Sequence, residues 1–308
     1  MRSPGVTPLQ PVRLPEADAA GLRLLVKRDD LIHPHVSGNK WRKLIPQTRW
    51  LLRGGARGFA SVGGVHSNHL AALAALGREL GVPTLGLVRA WDGGSATPTL
   101  IYANAEGMRL RPITRTQLRD WRAGGAPAPE LLDGLAWLPE GGTSHLGLMG
   151  LRDTVGEVER ALGTPPDGYW VAVGSGGTAA GLARATKADV HGVLCVGDGG
   201  VAGRIEALLR PGHRSPVLHD GALGGFASGE PAIWDAMCSF EAANGVTLDP
   251  IYTTKVLLTL RRWIAEQAPG RLAGQTHVMV HTGGLQGVVA WRRRYGYTVR
   301  SSSSVRPV

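Results

Sequence analysis

The chain is poor in cysteine and in lysine, and it has no long apolar run. Two cysteines in 308 residues, Cys195 and Cys238, offer neither a disulfide framework nor a metal-ligand spacing, so a reducing cytoplasm is the expected setting. No run nears the roughly 20 apolar residues that span a bilayer. Met1 to Pro15 carries no apolar core of the signal-peptide kind, and no membrane partner is expected. Only five lysines, Lys27, Lys40, Lys43, Lys187 and Lys255, stand among the 34 basic residues. The formal net charge is nevertheless +10, with a pI of about 10.3. That excess is arginine, scattered along helix-like segments. A nucleic-acid surface needs clustered arginine interleaved with aromatics, and aromatics make up just 6% of the chain. No nucleic-acid partner is expected. The shortage of lysine also leaves few amines able to form a Schiff base.

What is present suits a large α/β protein. Hydrophobic residues make up 43% and charged residues 19%, enough for a sizeable core, and 45 glycines cluster in short loops. Strand-like and helix-like runs alternate. Strands are expected at Leu24–Leu31, Phe59–Val62, Thr84–Val88, Met108–Pro112, Tyr169–Val173, Val193–Val196 and His277–His281. Helices are expected from near Leu44, after His69 to about Leu80, and over Thr99–Gly107. Further helices are expected over Gly147–Leu162, from Ala179, over Pro231–Asn244 and Lys255–Gln267, and from Gly284 to about Tyr295. Region 114–134 reads as a helix and a loop, and the tail 301–308 as frayed. Such alternation predicts a mostly parallel sheet covered by helices, with ligands at the carboxyl ends of the strands.

Three loops carry chemistry. The first is Ser37-Gly38-Asn39-Lys40-Trp41-Arg42-Lys43-Leu44. A lysine among small and amide residues at a loop-to-helix junction suits a covalent aldehyde carrier, although such strings also make ordinary turns. The second is Gly174-Ser175-Gly176-Gly177-Thr178, which follows an apolar strand and opens a helix. Its amides and hydroxyls fit an anion. It lacks a Walker-A lysine and a dinucleotide fingerprint, so a monophosphate is the best ligand, with plain N-capping as the competing explanation. The third is Gly63-Gly64-Val65-His66-Ser67-Asn68-His69, another nest of donors at a strand end, where Ser67 or Asn68 could equally serve as an ordinary N-cap. With no cysteine or carboxylate nearby, His66 and His69 do not predict a metal.

In this order the motifs resemble the pyridoxal-phosphate enzymes related to 1-aminocyclopropane-1-carboxylate deaminase and D-cysteine desulfhydrase. The likeness takes in Lys27-Arg28-Asp29-Asp30, the three loops, Glu140-Gly141-Gly142, Asp249-Pro250-Ile251-Tyr252-Thr253 with Lys255, and His281-Thr282-Gly283-Gly284. It covers roughly residues 20 to 295. It implies the fold-type-II architecture akin to the tryptophan synthase β subunit, with two three-layer αβα domains. A larger domain would hold 1–44 and 151–308, a smaller one 45–150, with pyridoxal 5'-phosphate between them. It implies Lys40 as the lysine that carries the cofactor, with Asn39 beside it. Asn68 would meet the pyridine 3'-oxygen. Gly174, Ser175, Gly176, Gly177 and Thr178 would hold the phosphate with Lys43, and Thr282 would sit near the pyridine nitrogen. Ser67, Asn68, His69 and Tyr252 would meet a small amino-acid substrate, and Lys40, Ser67 and Tyr252 would be catalytic. A homodimer is implied as well.

The deaminase pattern has glutamate where this chain has Thr253, and leucine where it has Thr282. Those departures point to β-elimination from a small D-amino acid, giving pyruvate, ammonia and sulfide. The alternative is ring opening by a 1-aminocyclopropane-1-carboxylate deaminase, which gives 2-oxobutyrate. A degenerate, non-catalytic scaffold that only binds a ligand is disfavoured by the joint presence of Lys40, Ser67 and Tyr252.

Overall fold

A computed structural model describes residues 5–288 and Arg292, except Ser37, Ala90, Ser95, Gly124, Asp198 and 223–229. Its elements follow in chain order. They are β1 (Leu9–Pro11), α1 (Pro15–Ala19), β2 (Arg23–Lys27), α2 (Asn39–Arg53), β3 (Phe59–Gly64), α3 (Asn68–Leu80) and β4 (Thr84–Arg89). Next come α4 (Pro98–Ala105), β5 (Met108–Ile113), α5 (Arg115–Arg122), β6 (Ala136–Trp137), α6 (His145–Met149), α7 (Leu151–Leu162) and β7 (Gly168–Val173). The last are α8 (Gly177–Ala183), β8 (Asp189–Leu194), α9 (Val201–Leu208), β9 (Val217–Asp220), α10 (Pro231–Asn244), α11 (Thr253–Ala265) and β10 (Thr276–Val280).

Two sheets organise these elements. The six-stranded sheet runs β1-β2-β10-β7-β8-β9, parallel throughout except for β1 against β2. The four-stranded sheet runs β5-β4-β3-β6, all parallel. Both are covered on their two faces, as parallel sheets require. Alternation along the strands shows this directly. Leu24, Val26, Trp170 and Ala172 pack into one core of the large sheet, while Leu25, Tyr169, Val171 and Val173 pack into the opposite one. In the small sheet Phe59 and Val88 face one core, and Ala60, Val62, Leu85 and Leu87 the other. Among the described residues no helix is long and apolar enough to cross a membrane.

Local chemistry sets the boundaries. Ser67 caps α3, its hydroxyl accepting from the Leu70 amide, and Gly81 ends the helix in the left-handed region at φ 66°. The helix expected over Gly147–Leu162 is two helices, α6 and α7, divided at Gly150. A distant contact falls at that division. Pro46 inside α2 has no N–H to give the Arg42 carbonyl. Gly150 backs onto that carbonyl so closely that a Cβ there would lie 1.8 Å from the oxygen.

Other boundaries also move. α2 begins at Asn39 rather than near Leu44, so Lys40 lies in its first turn. The first long strand ends at Lys27 and gives way to a 3-10 turn, Asp29–Leu31. β8 lies earlier than expected and ends at Leu194. Strands β1 and β9 and helices α1 and α9 were not anticipated. After Gly284 the described chain forms a 3-10 turn, Leu285–Gly287. The remainder of the expected last helix, apart from Arg292, and the tail 301–308 lie outside the described residues.

Candidate active site

A cavity of about 560 Å³ opens at the carboxyl ends of strands from both sheets. Gly64 and Arg89 come from the ends of β3 and β4; Gly174 and Thr282 follow β7 and β10. Helix α2 brings Asn39, Lys40 and Lys43. The α3 start brings Ser67, Asn68 and His69, and Tyr252 precedes α11. Every residue expected at the site lines this cavity except Gly177, which is buried in the 174–178 loop. Ser37 of the first motif lies outside the described residues.

Lysine is the distinctive feature. Lys40 and Lys43 sit three residues apart and so share one face of α2. Lys40 is half-buried, and desolvation brings its pKa from 10.5 to about 8, against an opposing pull from Glu140. Lys43 is 1% exposed, and burial, helped by the Lys40 charge, pushes its pKa well below the usual lysine value. No carboxylate among the described residues pairs with either. The other lysines differ. Lys187 is exposed, and Lys255 is buried away from the cavity, donating to the carbonyls of Ala222 (2.8 Å) and Cys195 (3.3 Å).

The far face of α2 holds the contrasting case. Arg42 reaches Glu157 at 2.7 Å and Asp29 at 2.8 Å, and Lys27 reaches Glu157 at 2.5 Å and Asp29 at 3.4 Å. Thr7 and Thr154 donate to Asp29 at 2.6 and 3.1 Å. Burial alone would raise the Asp29 and Glu157 carboxyls, but Arg42 and Lys27 outweigh it and hold both below their ordinary values. This network ties the start of α2 to β2 and α7.

The glycine loop is packed tightly. Gly176 has φ 89°, and a Cβ there would meet Ile205 at 2.7 Å; one on Gly177 would meet the Thr143 hydroxyl at 2.5 Å. Thr143 and Ser175 hydroxyls bond at 2.8 Å, and the Asn39 amide donates to Thr178 Oγ1 at 2.6 Å. The lysine helix and the glycine loop therefore touch directly.

Across the cavity, Asn68 Oδ1 accepts from Gln286 at 2.6 Å, which leaves its Nδ2 as the donor. The His69 ring is fixed by Ser61. Ser61 Oγ donates to the Leu138 carbonyl at 2.7 Å, so it accepts from His69 Nε2 at 2.8 Å. His69 Nδ1 is left as a buried acceptor without a partner, and burial, then Lys40 and Lys43, keep the ring neutral. Tyr252 lies over Gly174, and burial raises its phenol pKa, so it stays protonated.

Sequence reasoning noted Thr253 only as a departure from the deaminase pattern; in the structure its side chain closes a cap with Asp249. The Asp249 amide donates to Thr253 Oγ1 at 2.7 Å, and that hydroxyl lies 3.0 Å from Asp249 Oδ1. It also missed four contributors. Arg89 lines the cavity from β4, Arg122 pairs with Glu140 at 2.7 and 2.9 Å, Gln286 holds Asn68, and Ser61 sets the His69 tautomer. Only Gln286, just past the Gly283-Gly284 turn, had a signal nearby in the sequence.

Comparison with known proteins bears on the same geometry. The family described as pyridoxal-phosphate dependent enzyme matches residues 1–283. A putative 1-aminocyclopropane-1-carboxylate deaminase of Pyrococcus horikoshii is 27% identical over 290 residues, covering 87% of this chain and 86% of that protein. A D-cysteine desulfhydrase of Salmonella schwarzengrund is 28% identical over 309 residues, covering 89% and 90%. The solved structure of an ACC deaminase homologue superposes with a TM-score of 0.79 at 24% identity, covering 95% and 94%. It establishes the shared fold.

Proposed function

The chain belongs to the pyridoxal-phosphate dependent enzyme family, and on that premise we propose that it is a lyase of the D-cysteine desulfhydrase kind. Its cofactor is pyridoxal 5'-phosphate, and the residues present fit that group. Two desolvated lysines, with no carboxylate partner among the described residues, face one cavity. A glycine cradle with no room for side chains adjoins them, and its free amides suit a phosphate with Lys43 as counter-charge. Asn68 Nδ2 offers a donor for a ring oxygen, and Thr282 offers a hydroxyl for a ring nitrogen. We assign Lys40 as the carrier lysine because it is the less buried of the pair and keeps a reactive fraction of free amine near neutral pH. Residues 1–44 and 151–308 form the larger domain in this proposal and 45–150 the smaller. A homodimer in a reducing cytoplasm is the proposed setting.

The bound cofactor supplies an electron sink for the carbanion at the substrate Cα. The protein selects the bond that breaks. Ser67 and the first-turn amides of α3 hold the substrate carboxylate. Lys40 takes the α-proton. Tyr252, kept protonated by burial, donates to the group leaving Cβ. The Cα–H and Cβ–S bonds break, sulfur departs with the electron pair, and water hydrolyses the released enamine to pyruvate and ammonia. The observation that carries β-elimination is the character of the lining. Among its described residues the sole carboxylate, Glu140, is held bidentate by Arg122, and Thr282 adds a hydroxyl to the lining that would serve the ring nitrogen. Nothing there provides a free carboxylate for opening a strained ring. The test is a keto-acid assay on D-cysteine, L-cysteine, β-chloro-D-alanine and 1-aminocyclopropane-1-carboxylate. Pyruvate should form fastest from a D-substrate. Faster 2-oxobutyrate from the cyclopropane would replace this reading with the deaminase.

A further inference from the structure

Arg89 has no role in the reaction as described, yet it lines the cavity. It ends β4, in register with Gly64 of β3, and a Cβ on Gly64 would stand 3.6 Å from Arg89 Nη2. The neighbouring Gly63 abuts Ser67, where a Cβ would fall 2.4 Å from the hydroxyl. Arg89 thus flanks the loop assigned to the substrate carboxylate. Its Nε is buried and has no hydrogen-bond partner, and no carboxylate among the described residues pairs with its guanidinium. A half-buried arginine in that state is costly unless a ligand completes it. The α-carboxylate already has a receptor: the amides of Asn68 and His69, in the first turn of the 13-residue α3, have no intrahelical acceptor. Arg89 therefore has a fork of donors to offer to a second anion. The other described cations at the cavity are engaged otherwise, Arg122 by Glu140 and Lys40 and Lys43 by the cofactor as assigned above.

We propose that Arg89 receives a second anionic group on the substrate, so that the preferred substrates are small amino acids whose β-substituent carries a phosphate, sulfonate or carboxylate. The inference rests on the β-elimination reading for turnover but not for binding. O-phospho-D-serine and D-serine O-sulfate should be eliminated to pyruvate with release of phosphate or sulfate. Their kcat/KM relative to β-chloro-D-alanine should fall at least tenfold in Arg89→Met, chiefly through KM, and recover in part in Arg89→Lys. Calorimetric titration of the cofactor-loaded protein with succinate and propionate provides a readout independent of turnover. Wild type should prefer succinate at least tenfold, and Arg89→Met should lose that preference. Equal losses on charged and neutral substrates would overturn the inference by making Arg89 the α-carboxylate receptor or a structural residue, as would an unchanged succinate preference. If no β-substituted amino acid is turned over but Arg89→Met still abolishes the succinate preference, the reaction assignment fails and the anion receptor stands.

Discussion

Helix α2 carries buried cations on two faces, and they are treated in opposite ways. On one face Arg42, together with Lys27 from β2, meets Asp29, Glu157 and two threonine hydroxyls, so each charge has partners. On the other, Lys40 and Lys43 meet a cavity, and the cost of desolvation shows as lowered pKa values. The satisfied face holds the helix start in place. The unsatisfied face is where a ligand gains most by arriving.

Four measurements break or sharpen this contrast. The largest effect is on rate. Lys40→Ala should reduce pyruvate formation by about 10⁴-fold or more, the upper range for removal of a positioned acid–base group, while the urea midpoint of the cofactor-free protein stays or rises. Mass spectrometry after borohydride reduction of the wild type should find the cofactor on Lys40, and a label on Lys255 would undo the site. Next, Glu157→Ala strips the other face of one of its two shared carboxylates, leaving Lys27 and Arg42 with Asp29 alone. Stability measured by urea unfolding should drop by about 3–5 kcal/mol. A loss under about 1 kcal/mol would show that the network is not holding α2.

The third measurement is of pH. Lys40 and Lys43 have folded pKa values below the unfolded 10.5, so they bind fewer protons folded than unfolded. The cofactor-free protein should therefore gain stability from these groups as pH rises from about 8 towards 10.5, and lose it as pH falls. Asp29 and Glu157 have depressed folded values, and their contribution is present above the unfolded values of 3.8 and 4.5 and lost as pH falls through the folded ones. A Lys40→Met/Lys43→Met double variant should flatten the alkaline rise and leave the acid limb unchanged. The smallest effect is that of Lys43→Met alone. It should stabilise the cofactor-free protein by about 1 kcal/mol, since an unpaired buried polar group is removed, while weakening cofactor retention on dialysis. Destabilisation instead would mean that Lys43 has a partner in the folded chain.

How far the sequence revealed all this depended on distance along the chain. Loops whose chemistry is local, such as 37–44, 63–69 and 174–178, were legible because strand, glycines and helix start are contiguous there. Arg89 and Arg122 carried no such mark. They reach the cavity only because β4 pairs with β3 and α5 lies where Glu140 can be met. Thr253 carried no mark of its structural role either: it follows Tyr252 in sequence, but Asp249 claims its hydroxyl. Strands β1 and β9 escaped notice because one is three residues ending in proline and the other, Val217–Asp220, is half polar. The break between α6 and α7 carried no sequence mark of its own, and the backbone that Gly150 meets there lies about a hundred residues earlier, on α2.

That break has an evolutionary reading. The Arg42 carbonyl, denied a donor by Pro46, is covered by Gly150, so the side chains tolerated at positions 46 and 150 depend on each other. A lineage that replaces Pro46 with an ordinary residue restores the helical hydrogen bond and can draw the carbonyl inward. Only on that background does a side chain at 150 find room. Among related sequences the two positions should therefore covary, with the change at 46 preceding the change at 150 along the branches of the tree.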